Sequence, residues 1–113
     1  MGFQKKFISD LRNSIPINDV VTRLLNMEYK HREGNLRFLC PLCSDFHTST
    51  KESTNLARCF RCRKNFNPID LTMAHRELGF KETCLFLTPF LAYFKLSAQR
   101  EDLGYDPPFP SVL

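Results

Sequence analysis

The 113-residue chain lacks the features that mark several classes of protein. Its first stretch, MGFQKKFISDLRNS, has no apolar run of signal-peptide length, and no later segment is long and apolar enough to span a membrane. The four glycines form no phosphate-binding loop, the acidic residues form no cluster for catalytic magnesium, and no nucleophile has an evident base beside it. We therefore expect one small cytoplasmic domain that has no membrane partner and is not an enzyme on its own.

Cysteine, by contrast, occurs in a pattern that predicts a site. Four of the five cysteines form two C-x2-C pairs, Cys40 with Cys43 and Cys59 with Cys62, and fifteen residues separate the pairs. In a reducing compartment such pairs are more often metal ligands than disulfides. The spacing allows two tight turns to bring four thiolates around one Zn²⁺ ion. A site closed by four thiolates has no position for water, so we expect one structural zinc ion whose binding contributes to folding.

Other features leave alternatives at this site. An iron ion is compatible with the same four sulfur ligands. His47, four residues beyond Cys43, is close enough in sequence to compete as a ligand. The fifth cysteine, Cys84, lies in an apolar stretch with no evident base or cation nearby, so we interpret it as a small buried hydrophobic residue.

Positive charge is concentrated in the cysteine-bearing part of the chain. Residues 29–64 contain eight lysines and arginines and three acidic residues, a net charge of +5, whereas residues 1–28 sum to +1 and residues 65–113 to −2. Such a concentration indicates an anionic partner, with nucleic acid as the first candidate. The alternative is a basic surface that only keeps the protein soluble.

The second cysteine pair has cations on both sides. Arg58, Arg61, Arg63 and Lys64 lie within seven residues, with no acidic residue among them. They can stabilise the thiolates of a zinc site that carries a formal charge of −2, or contact phosphates, and the two roles are compatible. Phe60 lies within the same stretch, and an aromatic ring beside cations can stack on the bases of single-stranded nucleic acid.

The predicted fold class is α+β, a small zinc-ribbon-like antiparallel sheet flanked by helices. Hydrophobic periodicity and turn residues divide the chain into four segments. They are N-terminal helices packing on the zinc module (1–28), the zinc-ribbon module (29–66), C-terminal helices (67–98) and an extended or disordered tail (99–113).

Helix signals occur on both sides of the zinc-ribbon module. Apolar spacing predicts a first helix that ends near Asn13 and a second, of about ten residues, that begins near Asn18. An Asn-Pro pair predicts a capped helix over residues 68–78. The apolar segment after it is also helical in pattern, although Pro89 must kink it or begin a new helix.

Strand signals lie between the helices. Residues 29–38 contain a turn-like Glu-Gly-Asn and predict a hairpin that leads into the first cysteine pair. Residues 55–60 predict a further short strand, and the polar stretch before it is expected to be mostly a surface loop. The tail has three prolines and no periodicity, which favours an extended end with Phe109 free to contact a partner.

Three stretches of the chain carry a family resemblance. They are IPINDVVTRLLNMEYKHREGNLRFLCPLC, RCFRC and NPIDLTMAHRELGFKET, within residues 15–90. They resemble the N-terminal zinc-binding domain of bacterial DNA primases. Cys43 stands where that family usually has histidine, which keeps a metal ligand in place, and Arg61 replaces the glycine of the second turn. The residues that match the family motif are Cys40, Pro41, Cys59, Phe60 and Cys62.

The resemblance implies a zinc ribbon that helps a primase to engage single-stranded template DNA in replication or priming. It places the nucleic-acid face on or beside the hairpin and the second cysteine pair. Together with the cations and the aromatic ring of that pair, the candidate contacts are Lys30, Arg32, Arg37, Arg58, Phe60, Arg61, Arg63 and Lys64. The leading hypothesis is a stand-alone DNA-binding zinc module without a catalytic domain.

Two other functions are compatible with the sequence. One is a zinc-stapled adaptor whose aromatic segment around Phe90 docks on a helicase or recombinase chain. The other is an enzyme fragment that is active only with a separate catalytic primase chain. Primer synthesis that requires both chains would identify this chain as such an enzyme fragment.

Overall fold

The computed structural model describes residues 3–99, 102, 104 and 106–111, and it confirms the predicted α+β class. The strands lie in the middle of the chain, with helices before and after them. The helices are α1 (Lys5–Asn13), α2 (Ile17–Asp19), which continues as a π-helical turn (Val20–Leu24), α3 (Pro68–Arg76) and α4 (Phe80–Ala98). The strands are β1 (Tyr29–Arg32), β2 (Asn35–Phe38), β3 (Thr48–Lys51), β4 (Leu56–Cys59) and β5 (Lys64–Phe66).

The five strands form one antiparallel sheet in which each strand pairs with the next along the chain. β1 and β2 form the predicted hairpin, and β4 lies where the further strand was predicted. The expectation of a surface loop was wrong for β3, whose sequence TSTK buries Thr48 and Thr50, so that polar side chains hide the alternation. β5 was missed because it has only three residues.

Successive side chains along each strand point to opposite faces of the sheet. One face is buried, with Phe38, Ala57 and Phe66 in the apolar core. The other face is polar, and the strand register lines up one residue from each strand across its full width. These five residues, which we call the cross-strand row, are Lys30, Arg37, Ser49, Arg58 and Asn65.

The helices supply most of the apolar core beneath the sheet. Leu11 of α1, Leu71 of α3, and Leu87 and Phe90 of α4 are almost completely buried. Cys84 is also fully buried there, as expected for a small hydrophobic residue. No helix in the described part of the chain has the length and apolar character needed to cross a membrane.

The start of α3 follows the predicted capping pattern. The side-chain oxygen of Asn67 accepts a hydrogen bond from the Asp70 N–H at 2.8 Å, and the Asp70 carboxylate accepts one from the Asn67 N–H at 3.3 Å. Pro68 occupies the first helical position, where no helical partner exists for the missing N–H. This cap fixes the exit of the chain from β5 into α3.

Two helix predictions can now be made more specific. The second helix begins at Ile17, next to Asn18, and most of it is the π-helical turn, in which the Leu25 N–H reaches the Val20 carbonyl at 2.9 Å. Pro89 does not begin a new helix, because α4 runs through it. Proline has no N–H to donate to the carbonyl of Leu85, four residues before it. Because Pro89 and Leu85 are both exposed, water can donate a hydrogen bond to that carbonyl instead.

Asn55, in the turn between β3 and β4, ties the N-terminal segment to the sheet. Its Oδ1 accepts from the Ile17 N–H at 2.8 Å, and its Nδ2 donates to the carbonyls of Arg12 at 2.7 Å and Ile15 at 2.9 Å. Its φ is 56°, a left-handed conformation that asparagine adopts more readily than most residues. One turn residue therefore satisfies three backbone groups of another segment.

The described part of the tail packs back on the helices. The expectation that Phe109 is free was wrong, because its ring lies 5.4 Å from Phe90 and 4.9 Å from Tyr93 between ring centroids. The Arg23 guanidinium lies 3.8 Å from the Phe109 ring centroid. Residues 106–111 have no regular secondary structure, while residues 100, 101, 103, 105, 112 and 113 of the predicted tail lie outside the described residues.

Candidate metal centre and basic sheet face

The two cysteine pairs meet at one end of the sheet. The four sulfur atoms lie within 4.8 Å of one another, with 3.8 Å between the Sγ atoms of Cys40 and Cys62 and 3.6 Å between those of Cys43 and Cys59. A tetrahedral Zn²⁺ ion with bonds of about 2.3 Å to sulfur requires about 3.8 Å between ligand sulfurs. A disulfide would need about 2.05 Å. The spacing therefore fits one four-coordinate metal ion and excludes disulfide pairing in this arrangement.

The local backbone turns the sulfurs inward in the same way at both pairs. The Leu42 N–H donates to the Cys40 sulfur at 3.4 Å, and the Cys62 N–H donates to the Cys59 sulfur at 3.3 Å. The residue after each second cysteine, Ser44 or Arg63, has a left-handed φ, 59° and 57° respectively. Neither residue type favours that conformation, so this shared turn could not be predicted from the residues at the two positions.

The thiols strongly affect one another's ionisation. Burial raises the pKa of the Cys59 thiol, but hydrogen bonds from the Cys62 N–H, the Thr48 hydroxyl and the neighbouring thiols outweigh it and lower that pKa to about 6. The Cys43 thiol, together with burial, raises the pKa of Cys62 to about 12. Four thiolates at these distances need a cation among them, because like charges so close cannot all persist alone.

The donor set thus fits a structural zinc ion. Cys40, Cys43, Cys59 and Cys62 would hold it, and no ligand position is left for water or substrate. His47 does not belong to this ligand cluster, because its Nδ1 faces the Asp45 carboxylate. When bound, the ion crosslinks the β2–β3 connection to the β4–β5 turn.

Asp45 forms an ionic link between the two cysteine turns. Its carboxylate accepts from His47 and from Arg61, the latter at 3.2 Å, and its carbonyl accepts from the Cys40 N–H at 3.1 Å. The hydrogen bond from His47, then that from Arg61, lowers the pKa of Asp45. The hydrogen bond with Asp45 raises the pKa of Arg61, and the negative charge of the Cys43 and Cys62 sulfurs adds to this.

The structure separates the eight predicted nucleic-acid contacts into two groups. Arg61, Arg63 and Lys64 belong to the second cysteine turn and its exit, and Lys64 lies on the same side of the sheet as Cys59. Arg61 is engaged by Asp45, which favours the charge-compensating role for it. The other group lies on the polar sheet face or at its end and consists of Lys30, Arg32, Arg37, Arg58 and Phe60.

A shallow cavity of ≈ 550 Å³ occupies the β3–β5 side of the polar face. Ser49, Arg58, Phe60 and Asn65 contribute to its lining, and the Arg58 guanidinium donates to the Asn65 side-chain oxygen at 3.3 Å. The Phe60 side chain is 61% exposed, so its ring is available for stacking instead of core packing. Cation, amide and ring together are suited to phosphate and base contacts.

Sequence reasoning missed several residues of this face. Ser49 and Asn65 complete the cross-strand row, and Lys51 lies on the same cavity. Ser49 and Lys51 can be placed on this face only when β3 is recognised as a strand. His75 of α3 is half-buried, and burial followed by the charge of Arg76 lowers its pKa.

Comparison with known proteins agrees with the geometry. The family model described as the CHC2 zinc finger, the zinc ribbon of DnaG, matches residues 3–102. No curated protein matches the chain closely enough to serve as a relative. The match includes all four cysteines and all five strands. The chain therefore belongs to the CHC2 zinc finger family.

Proposed function

We propose that this chain is a DNA-binding zinc module of the primase type, which engages single-stranded template DNA in replication or priming and makes or breaks no bond itself. The observation that carries this proposal is the cross-strand row. It aligns three cations on an uncovered sheet face, with the exposed Phe60 at one end. Membership of the CHC2 family supports a role in priming.

The physical argument is the pairing of charge with stacking. Lys30, Arg37 and Arg58 can neutralise phosphates, which releases counterions and makes affinity fall steeply with salt. Phe60 offers a ring that single-stranded bases can stack on but that paired bases in a duplex cannot reach as easily. Preference for a single strand follows from this combination.

The test is fluorescence anisotropy of the zinc-loaded protein with labelled single-stranded DNA, duplex DNA and RNA across a salt series. Arg37→Ala and Arg58→Ala should each weaken single-strand binding and reduce the salt slope by about 0.7 to 1. Lys64→Ala is the matched control, since it removes one positive charge from the opposite side of the sheet. Equal losses in all three variants would mean that net charge, not this face, determines binding.

Phe60→Ala separates stacking from charge. It should lower the affinity for single-stranded DNA by about tenfold or more without changing the salt slope. Unchanged affinity would remove the base-stacking part of the proposal.

A second candidate role is docking on a partner chain, for which a catalytic primase, a helicase or a recombinase are the candidates. The supporting observation is the outer side of α4, where Leu85 and Leu96 are 56% and 40% exposed. The aromatic segment first considered for this role is less suitable because Phe109 covers part of it. Leu85→Ser with Leu96→Ser should abolish copurification with such a chain and leave DNA binding intact.

A further inference from the structure

The corner of the polar face formed by β1 and β2 carries an unusual concentration of charge. Lys30 and Arg37 lie directly opposite each other, and Arg32 is the next residue of β1 on the same side. Like charges directly opposite each other destabilise a strand pair. In the described part of the chain, the ion pairs with carboxylates use other cations, so no ion pair offsets this repulsion.

These three side chains surround a cavity of ≈ 220 Å³, together with Phe46 and His47. We call this cavity the corner pocket. Its volume corresponds to that of about seven liquid waters at about 30 Å³ each, enough for a phosphate group. The Lys30 ammonium lies 5.1 Å from the Phe46 ring centroid, a cation–π contact that holds the charge at the pocket wall.

Asp45, which directly precedes Phe46 in the chain, is engaged by other side chains. Asp45 is held by the His47 ring on one oxygen and by the Arg61 guanidinium on the other. Its negative charge is therefore compensated before any ligand arrives. The corner pocket consequently presents three cations without a competing carboxylate inside it.

The two ends of the cross-strand row differ in their capacity for charge. Near Phe60 the face offers two cations, Arg58 and Lys51, and the Arg58 guanidinium already donates to the Asn65 side chain, so this side suits internal phosphodiesters of single charge. The corner pocket offers three cations, and a terminal phosphate monoester carries about −1.5 to −2 at neutral pH. We infer that the corner pocket binds the terminal phosphate of a nucleic-acid strand whose adjoining nucleotides lie along the row. This inference rests on the proposed function and adds a strand-end specificity to it.

The test compares three short single-stranded oligonucleotides of identical sequence, which carry a 5′-phosphate, a 3′-phosphate or hydroxyls at both ends. Binding to the zinc-loaded full chain is measured by competition anisotropy at fixed salt. One phosphorylated end should increase affinity about tenfold over the hydroxyl ends, because charge-assisted contacts to a doubly charged group are added. Inorganic phosphate should reduce the preference for the phosphorylated end at a lower concentration than the concentration at which it displaces the strand.

Arg32→Gln is the decisive variant, since Arg32 lines the corner pocket but lies outside the cross-strand row. It should reduce the tenfold preference to less than about threefold, with a smaller effect on the hydroxyl-ended strand. Lys51→Gln is the matched control on the same face: it should weaken all three oligonucleotides equally and leave their ratio unchanged. Zinc content of each variant verifies the fold.

The outcomes separate the two proposals. Equal affinity for all three oligonucleotides, with binding intact, overturns the strand-end inference and leaves the proposed function standing. A preference that survives Arg32→Gln also overturns the assignment to this pocket. Absence of binding to every oligonucleotide overturns both.

Discussion

The metal-bearing end of the sheet and the helical layer are held together by different forces. At the metal end, two four-residue cysteine turns contribute little apolar surface, and Leu42 and Phe60 point outward, 52% and 61% exposed. In the helical layer, Leu11, Leu71 and Leu87 are fully buried in a continuous apolar cluster. A region without a core of its own therefore relies on sulfur–metal bonds, whereas the helices rely on the hydrophobic effect.

The two regions nevertheless share a boundary. Cys40 and Cys59 are members of the same buried cluster as Phe38 and the helical residues. Phe38 stands two residues before Cys40 at the end of β2. The metal thus anchors one rim of the core as well as the turns, so the two forces act on one cooperative unit.

The largest expected effect is loss of the metal. Cys40→Ser, or chelation of the zinc ion, should unfold the sheet and the helical layer together, because structural zinc contributes on the order of 10 kcal/mol and a domain of this size is stable by about 5–15 kcal/mol. Far-ultraviolet circular dichroism and thermal melting of the metal-free protein measure this. Helices that persist with a cooperative transition would show that the two regions are independent.

A core truncation in the helical layer comes next. Leu87→Ala should reduce the free energy of unfolding by about 2–5 kcal/mol, because it leaves a cavity under α4. Urea denaturation of the zinc-loaded protein measures the loss. Ala92→Gly, at an exposed position of the same helix, is the control and should cost only about 1 kcal/mol. Zinc should stay bound in both variants at low urea.

Asn55→Ala tests the link between the N-terminal segment and the sheet. It removes the partners of three backbone groups and places alanine at a left-handed φ, so we expect a loss of about 2–4 kcal/mol. Asn55→Asp keeps the acceptor for the Ile17 N–H but loses the amide N–H groups that donate to the carbonyls of Arg12 and Ile15. Hydrogen exchange at the Ile17 amide should therefore accelerate in the alanine variant more than in the aspartate variant.

The smallest effect concerns the surface ion pair between α1 and α4. The hydrogen bond from Lys95, at 2.9 Å, lowers the pKa of Asp10. The stabilisation of the folded state by this pair is therefore fully present above the ordinary carboxyl pKa and is lost as the pH falls through the lowered pKa. Acid would protonate the zinc ligands as well, so salt is the cleaner probe. Lys95→Gln should lower the urea midpoint slightly in low salt and not at all in 1 M salt.

Several parts of this architecture could be read from the sequence because local chemistry determines them. The cysteine spacing located the metal site, and the Asn-Pro-x-Asp pattern located the start of α3. The hairpin followed from its turn residues. The helix start and the hairpin turn depend on contacts within a few residues, and the metal site shows itself through the repeated spacing of its ligands.

What could not be read depends on distant partners. β3 is recognisable only when β2 and β4 flank it, since its buried residues are threonines. The separation of Arg58 from Lys64 requires knowing that β4 and β5 pair so that the two side chains lie on opposite faces. Likewise, nothing local indicates that Phe109 returns to α4.

The position of β1 at the sheet edge has a consequence for the behaviour of the protein in concentrated solution. An edge strand offers unpaired backbone groups to the edge of another copy, and natural proteins often discourage this with charge. Lys30 and Arg32 place two cations on that edge. A bound polyanion would neutralise them and remove the mutual repulsion between copies. Self-association of the protein should therefore be most pronounced near charge equivalence with nucleic acid, and least in its absence or in excess.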